Sequence, residues 1–373
     1  MKISKVQCWV LRAPFEYPLR GTHHALISFV EIETDEGIKG NALSTFPMRW
    51  GLKDYINREV SEQIIGMDPM RPETVRGKLI ANTTLKYFMG AFNCAASLID
   101  VALWDIKGKA TGQPIWKLLG GANATLPAYI TFGRSWYSTD ELVEIAKSLV
   151  NDSHKALKMV VGAAGAGADD VMQYPTDQDI KKDIARVGAV RDAIGPDIEL
   201  MVDANKALTP GQAHFLMREL EQFNLTWFED PIQNGDPRLL ADLRRKTNIP
   251  LAAGSTGTSD LMFLRDFFMH EAVDYIQPNV RDIGGFTQGI KAAGMAQAFN
   301  IPMSMGGNYP HLNMHLHGGV PNGGKIEFHL QGYQCTENLF DGVPFTKDGR
   351  LVLPETPGLG FTPKDGILEL SVD

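Results

Sequence analysis

Polar residues recur at a fixed interval in this chain, each one closing a short apolar run. Asp203, Glu229 and Ser255 follow one another at intervals of 26 residues, and Asn279 comes 24 residues later. Apolar runs that alternate with amphipathic helical patterns predict parallel strands joined by crossover helices. Because the interval is one strand–helix unit long, we predict a β/α barrel with these side chains on its C-terminal face. An open doubly wound sheet is the alternative, but no GxGxxG follows the first strand of the repeat.

The N-terminal region has a different pattern. Apolar runs at 6–11, 25–33 and 38–43 predict a small antiparallel sheet, and 93–108 reads as a long helix that ends at glycines. Within the repeat, the strongest helical patterns lie at 179–194, 210–222, 237–246 and 287–299. The chain therefore reads as an α+β unit followed by a barrel.

Composition limits the class of protein. The 373 residues suffice for one large and one smaller domain. A net charge of −8 without a basic run argues against nucleic-acid binding, and no apolar stretch is long enough to span a membrane or to serve as a signal peptide. Cys8, Cys94 and Cys335 lie far apart, which is typical of free thiols in a reducing compartment. We predict a cytoplasmic protein that binds neither nucleic acid nor a membrane.

Six segments of the chain are informative in their order and spacing: LIDVALWDIKGKATGQPIWKLLGG (98–121), MVDAN (201–205), WFEDPI (227–232), IPLAAG (249–254), QPNVRDIGG (277–285) and PETPGLGF (354–361). Together they resemble the mandelate racemase-type members of the enolase superfamily over almost the whole chain. The resemblance implies a (β/α)₇β barrel at 126–339 and an α+β capping domain at 1–125 that is completed by 340–373. It also implies Mg²⁺ on three acids at successive strand ends, removal of the proton α to a carboxylate, and a homo-oligomer, a dimer or an octamer.

Five residues match positions that have roles in the family. The resemblance assigns Asp203 and Glu229 as metal ligands and Lys158 as a contact of the substrate carboxylate. Asn205 shares a strand face with Asp203 and is expected to hold water or substrate. Glu327, in the last barrel strand, is expected to hydrogen-bond the substrate carboxylate or a metal-bound water.

Four positions depart from the family pattern. Ser255 stands where the third metal acid belongs, and Val160 replaces the second lysine of a pair. The usual Asp–His pair reads Asn279 and Gly306, so both common bases are absent. Because a hydroxyl is a poor, neutral Mg²⁺ ligand, we expect a weak site completed by water, Asn205 or substrate oxygens.

Other residues are candidates for proton transfer. A buried Lys158 with a lowered pKa is one candidate base, and Lys206, which follows Asn205, is either a second or a solvated loop lysine. His311, just past the seventh strand, is the candidate acid. His311 and His315 have the spacing of a zinc pair, but with no HExxH glutamate and no third ligand zinc is not expected.

Ser255 and Asn279, with Asn205 and Glu327, are the candidate substrate-binding residues of the barrel, and the capping domain supplies three more. His23 and His24 are placed in a loop before its second strand, and Trp50 in a second loop over the site; ordinary surface positions are the alternative. The run VGAAGAGA at 161–168 lacks the GK[ST] of a phosphate loop and is interpreted as an insertion of small residues.

The residues favour Mg²⁺-dependent dehydration of a sugar acid or small hydroxy acid to a 2-keto acid. Racemisation needs a base on each face of the α-carbon, and neither common base is present. A racemase, epimerase or cycloisomerase with unfamiliar bases is the second hypothesis. A non-catalytic binding protein on the same scaffold is the third.

Overall fold

The computed structural model describes residues 1–45, 48–82, 90–162, 174–255 and 260–372. The chain begins with an antiparallel sheet in the order β1–β2–β3. Its strands are β1 (Ile3–Tyr17), β2 (Gly21–Thr34) and β3 (Lys39–Ser44). The predicted sheet is confirmed, but the β1–β2 hairpin is longer than expected. Tyr17 pairs with Gly21 across its turn, so the predicted loop at 23–24 is part of β2.

Five helices follow, of which the fourth holds this region together. Gly40 of β3 packs against that helix so closely that a Cβ at Gly40 would lie 2.0 Å from the Ala102 carbonyl oxygen. The Asp105 carboxylate accepts backbone hydrogen bonds from Asn41 (3.0 Å) and from Leu359 (2.9 Å), which ties the helix to the sheet and to the C-terminal segment. The helices are α1 (Arg49–Tyr55), α2 (Ser61–Ile64), α3 (Pro72–Ala81), α4 (Ala91–Thr111) and α5 (Ile115–Leu118).

The barrel predicted from the 26-residue interval is present. Seven parallel strands form a curled sheet in the order β10–β4–β5–β6–β7–β8–β9. The gap between β9 and β10 is filled by 303–305, since Ser304 N–H donates to Ile276 O (3.0 Å) and Met305 N–H donates to Lys325 O (2.8 Å). The strands are β4 (Thr125–Gly133), β5 (Ala156–Val160), β6 (Glu199–Asp203), β7 (Phe228–Glu229), β8 (Leu251–Ala253), β9 (Tyr275–Ile276) and β10 (Ile326–His329).

The strand register brings the recurring polar residues together. Val160 is opposite Asp203, and Asp203 is opposite Glu229. The helices of this region include all four that the sequence predicted. They are α6 (Thr139–Asn151), α7 (Asp177–Ile194), α8 (Pro210–Leu220), α9 (Pro237–Arg244), α10 (Leu261–Met269), α11 (Gly285–Ala298), α12 (Pro310–Gly319) and α13 (Leu330–Leu339).

The C-terminal segment contacts both parts of the molecule. Its strands are β11 (Phe340–Asp341), β12 (Arg350–Val352) and β13 (Thr362–Pro363). Strand β12 pairs with β4 of the barrel, whereas Val372 N–H donates to Val10 O of β1 (3.0 Å). The division at residue 125 and the assignment of 340–373 to the cap stay predictions. None of the helices in the described residues is long and apolar enough to cross a membrane.

Candidate active site

Lys158 and three acids, on strands β5, β6, β7 and β10, form a buried charged cluster in the barrel. The Lys158 Nζ lies 2.7 Å from Glu229 Oε1, 3.1 Å from Glu327 Oε1 and 3.3 Å from Asp203 Oδ2. Lys158 and Glu327 are each 1% exposed. Burying charge is costly unless it is paired, and here every charged group has an opposite partner. The sequence predicted that all four residues belong to one site of the barrel, and the structure places them in contact.

The acid oxygens also accept hydrogen bonds from neutral donors. Glu229 Oε2 accepts from the Trp227 indole (3.2 Å) and from the Gln277 amide (2.9 Å). Glu327 accepts from the Thr131 hydroxyl and the Gly307 backbone N–H. The carboxylates are therefore fixed in orientation before any ligand binds.

The pKa of Lys158 contradicts its role as a free base. Burial by itself would lower this pKa, but Glu229, Glu327, Tyr129 and Asp203 outweigh burial and raise the pKa well above its ordinary value. Lys158 is thus an ammonium group, and the prediction of a lowered pKa was wrong. Burial raises the pKa of Glu229 well above its ordinary value, and the nearby acids add to this effect while Lys158 opposes it.

A cavity of about 200 Å³ lies over the cluster. The predicted residues Asn205 and Ser255 line this cavity. Lys158 lies behind the acids and is not among the described residues that form the lining. The lining consists of Thr131, Arg134, Val160, Asp203, Asn205, Glu229, Asp230, Ser255, Arg281, Gly307, Asn308, Glu327 and His329.

Three of the four departures from the family pattern form one contiguous patch. A Cβ added at Gly306 would lie 2.7 Å from the Ser255 Cβ and 3.0 Å from the Gln277 Cδ. The Asn279 side-chain amide donates to the Gly306 carbonyl oxygen (2.8 Å). Ser255, Asn279 and Gly306 are therefore small or neutral groups in contact with one another, at the part of the wall where the family pattern has a His–Asp pair and a third acid.

Two of the predicted proton-transfer residues lie outside the cavity. His311 is 1% exposed, packs edge-on against Phe328 and Phe361, and has its Nε2 2.9 Å from Pro344 O. Burial lowers its pKa to about 3, so it is a neutral core residue and the role of catalytic acid was wrong. Lys206 lines a different cavity, beside Gly235.

Several predicted recognition residues are also outside the cavity lining. Asn279 is fully buried and fixes the wall through its hydrogen bonds. His23 and His24 are exposed residues of β2 rather than of a loop, and His23 packs against Phe15 and Tyr17. Trp50 lies in α1 with 46% of its surface exposed. Most of the small-residue run at 161–168 falls outside the described residues.

Three basic lining residues escaped the sequence analysis: Arg134, Arg281 and His329. A signal for His329 was available, because residues i and i+2 of a strand share a face and His329 follows Glu327 by two. Burial, with the positive charges of Arg134, Lys158 and Arg281, lowers the pKa of His329 well below its ordinary value, so its ring is neutral. Arg134 Nη2 lies 2.6 Å from the His329 Nε2.

The oxygen donors of the cavity can be compared with the requirements of a divalent cation. Among the described residues, no group of three or more His, Cys, Asp or Glu side chains is arranged to hold a metal ion. Nevertheless, Asp203 and Glu229 are hard carboxylate donors on neighbouring strands that face one cavity. With Glu327 they place three carboxylates against one ammonium, which leaves excess negative charge. The residues therefore fit a two-carboxylate cation site.

Comparison with known proteins agrees with this geometry. The family model for the enolase C-terminal domain-like region matches residues 141–367, and the model for the mandelate racemase/muconate lactonizing enzyme N-terminal domain matches 2–120. The chain belongs to the enolase superfamily. Its departures at the barrel wall are therefore changes within a superfamily site, not signs of another fold.

Relatives in the enolase superfamily include dehydratases and isomerases. An arabinonate dehydratase from Saccharolobus solfataricus is 30% identical over 93% of this chain and 91% of its own length. A 3,6-anhydro-alpha-L-galactonate cycloisomerase from Streptomyces coelicolor is 28% identical over 96% of each chain. A crystal structure of a racemase from Streptomyces coelicolor A3(2) with bound magnesium is 25% identical, with a TM-score of 0.86 over 99% of this chain and 100% of that one.

Proposed function

We propose that the chain is a Mg²⁺-dependent dehydratase that converts a sugar acid or small hydroxy acid to its 2-keto acid. The observation that carries this proposal is the buried cluster in which the Lys158 Nζ contacts Asp203, Glu229 and Glu327. A scaffold without catalytic function has no need for buried charges whose desolvation is costly. The similarity to an arabinonate dehydratase supports the same reaction class.

Asp203 and Glu229 would hold the metal ion, which supplies charge stabilisation for the enediolate when it is bound. Lys158, fixed as an ammonium group, offsets the acids from behind. Ser255 adds only a neutral hydroxyl to the cavity wall, so we expect weak Mg²⁺ binding that improves with substrate.

We assign no proton transfer to His329, although it lines the cavity and His311 and Lys206 do not. It is the one imidazole among the described residues that line the cavity, but burial and the nearby positive charges lower its pKa well below the ordinary value, which makes it a poor base for a weakly acidic α-proton. Arg134 can only donate, so the His329 Nε2 bears the lone pair and accepts the hydrogen bond from Arg134. In the dehydration the α-proton is removed and the β-hydroxyl takes up a proton and leaves as water. The enol that remains tautomerises to the 2-keto acid.

The isomerase hypothesis predicts a different product. A racemase, epimerase or cycloisomerase keeps all the atoms of the substrate, whereas dehydration loses one water. The similarity to a cycloisomerase makes this the second candidate. The cytoplasmic location and the homo-oligomeric state stay predictions from the sequence.

The proposal is tested by a screen of sugar acids and hydroxy acids with Mg²⁺, followed by mass spectrometry and by detection of 2-keto products. We expect a product lighter than its substrate by one water. Exchange of the α-proton with deuterated solvent without loss of water would replace the dehydratase assignment by the isomerase one.

Calorimetry tests the metal site separately. Asp203→Asn should abolish Mg²⁺ binding, and Ser255→Glu should strengthen it relative to Ser255→Gln, because a third carboxylate adds charge as well as an oxygen ligand. An absence of Mg²⁺ binding in the parent, with substrate present, would refute the metal dependence.

A further inference from the structure

Arg134 is a cationic group of the cavity that has no acid partner. It directly follows β4, and its Nη2 reaches the His329 Nε2 (2.6 Å) and the Tyr17 hydroxyl (3.5 Å). Among the described residues no carboxylate pairs with it, and its Nε and Nη1 form no hydrogen bond. Its other neighbours are the rings of Tyr17 and Trp136, with the guanidinium carbon 5.9 and 5.7 Å from their centroids. Its charge is thus left available to the cavity.

Other arginines close to the cavity are paired with acids. The Arg186 Nη1 lies 2.5 Å from Asp183 Oδ1, and the Arg281 Nη2 lies 3.3 Å from Asp282 Oδ2. Arg134 pairs instead with an imidazole that is neutral and so removes none of its charge. A guanidinium with free N–H groups is well suited to a carboxylate, which it can bind with two parallel hydrogen bonds.

The His329 ring lacks an acceptor for its proton. Arg134 has no acceptor atom, so the proton of the neutral ring is on Nδ1. That Nδ1 is buried and has no hydrogen-bond partner among the described residues. A buried donor without an acceptor is costly, and a ligand oxygen at this corner would satisfy it after a small rotation of the ring.

The corner lies one substrate length from the buried cluster. His329 follows Glu327 by two residues on β10, a rise of about 6.6 Å along the strand. With carbon–carbon bonds of about 1.5 Å, this is roughly the span of a five- or six-carbon chain. The cavity, at about 200 Å³, is smaller than the ~300–1,000 Å³ pockets that hold drug-sized ligands.

We propose that Arg134, supported by His329, binds the second carboxylate of a sugar diacid whose first carboxylate lies at the Lys158 cluster. This inference rests on the proposed dehydratase function and narrows its substrate class. A monoacid of the same length would leave Arg134 facing a hydroxyl group, and the charge-assisted hydrogen bonds would be lost.

Steady-state kinetics with a matched pair of acids test the proposal. Galactarate and galactonate share the configuration of their hydroxyl groups and differ only in a carboxylate or hydroxymethyl group at carbon 6. The parent should favour the diacid in kcat/KM. In Arg134→Gln the ratio of kcat/KM for diacid over monoacid should fall by about 10- to 100-fold, mostly through KM, and Arg134→Lys should recover part of it. The exposed Arg265→Gln variant, which removes the same charge outside the cavity, should leave the ratio unchanged. An unchanged ratio in Arg134→Gln would overturn the proposal.

Calorimetric binding of the same two acids, with EDTA present and without turnover, separates this inference from the proposed function. If neither acid reacts but diacid binding still depends on Arg134, the anion site stands and the dehydratase assignment fails. If both acids react and Arg134→Gln binds them as the parent does, the anion site fails and the dehydratase assignment stands. If galactonate 6-phosphate binds more tightly than galactarate and loses this advantage in Arg134→Gln, the second anionic group is a phosphate and the diacid assignment is wrong. Thermal unfolding of each variant checks that it is folded.

Discussion

At the scale of single residues, the hydrogen bonds of Asn279 show why this cavity wall requires an asparagine where the family pattern has an aspartate. Its amide nitrogen donates to the carbonyls of Gly306 (2.8 Å) and Asn308 (3.3 Å). Its carbonyl oxygen accepts from Arg281 N–H (3.0 Å) and the Asn313 amide (2.9 Å). An aspartate has no donor for the two carbonyls, so this arrangement is specific to asparagine.

We therefore expect Asn279→Asp to destabilise the protein by about 1–3 kcal/mol, because two carbonyls lose their donor and a buried carboxylate faces them. Unfolding by urea would measure the change. Asn300→Asp, at a loop position, is the control. A variant as stable as the parent would mean that the wall tolerates the usual family residue. The substitution would then need another explanation.

The site was predictable where strand spacing determines which residues meet, and only there. The 26-residue interval identified Asp203, Glu229 and Ser255. The interval could not show that Lys158 contacts three acids at once. The pKa of Lys158 was therefore predicted to be lowered, whereas the contacts in the structure raise it. His311 failed for a related reason, since only the folded chain shows that the ring faces Phe328 and Phe361 instead of the cavity.

At the scale of elements, the start of α11 is capped by residues of α4. Gly284, which precedes α11, has a left-handed φ of 101° and no capping side chain. Ser97 accepts a hydrogen bond from Gly284 N–H (2.9 Å), and Asp100 Oδ2 accepts one from Thr287 N–H (3.1 Å). Gly285 leaves space for Asp100, because a Cβ there would lie 2.2 Å from Oδ2. The capping region and the barrel are thus joined through a helix terminus.

This junction predicts a specific dependence of stability on pH. Burial raises the pKa of Asp100 to about 7, while hydrogen bonds from Thr287 and the charge of Arg76 oppose the shift. An unfolded Asp ionises near pH 3.9, so between about pH 4 and 7 the folded state binds more protons than the unfolded state. The parent should therefore lose stability relative to Asp100→Asn as pH rises through this range, by up to about 4 kcal/mol. Urea unfolding at several pH values measures the difference.

Asp266→Asn, at an exposed position, should show no such trend and serves as control. A constant difference between the parent and Asp100→Asn from pH 4 to 8 would mean that Asp100 is ionised throughout. Asp282, whose pKa burial raises to about 6, adds a shift of the same sign in both proteins and cancels in the comparison.

Helices and strands were the most predictable level of this structure. Helices α4, α7, α8, α9 and α11 lie within a few residues of their predicted bounds, because amphipathic periodicity and capping residues act locally. The end of the β1–β2 hairpin was missed. Its polar residues, including His23 and His24, are paired only through contacts with β1 that no local pattern reveals.

At the scale of the whole molecule, the tip of the β1–β2 hairpin contacts the barrel beside the cavity. The Arg20 guanidinium binds both carboxylate oxygens of Glu141 (2.6 and 2.9 Å), and the Tyr137 hydroxyl donates to Pro18 O (2.6 Å). Arg20 also lies over the Tyr137 ring, 5.1 Å from its centroid. The same tip carries Tyr17, which reaches Arg134. The sequence predicted a cap over the barrel, but not which residues fasten it.

We expect Arg20→Gln to raise KM several-fold while leaving the midpoint of thermal unfolding nearly unchanged, because exposed ion pairs add little to stability yet fix the position of the tip. The hydrogen bonds from Arg20 and Ser138 lower the pKa of Glu141 to about 2. The ion pair is therefore complete above the unfolded value near 4.3 and is lost only as pH falls toward 2, so the KM effect should be constant between pH 6 and 8. Added salt should reduce the effect on KM, since the pair is exposed to solvent.

Steady-state kinetics of Arg20→Gln, Glu141→Gln and the double variant would show whether the two effects are coupled. Lys117→Gln, which breaks the exposed pair with Glu355, provides the control. Additive effects of the two substitutions on KM would show that the tip is held by other contacts.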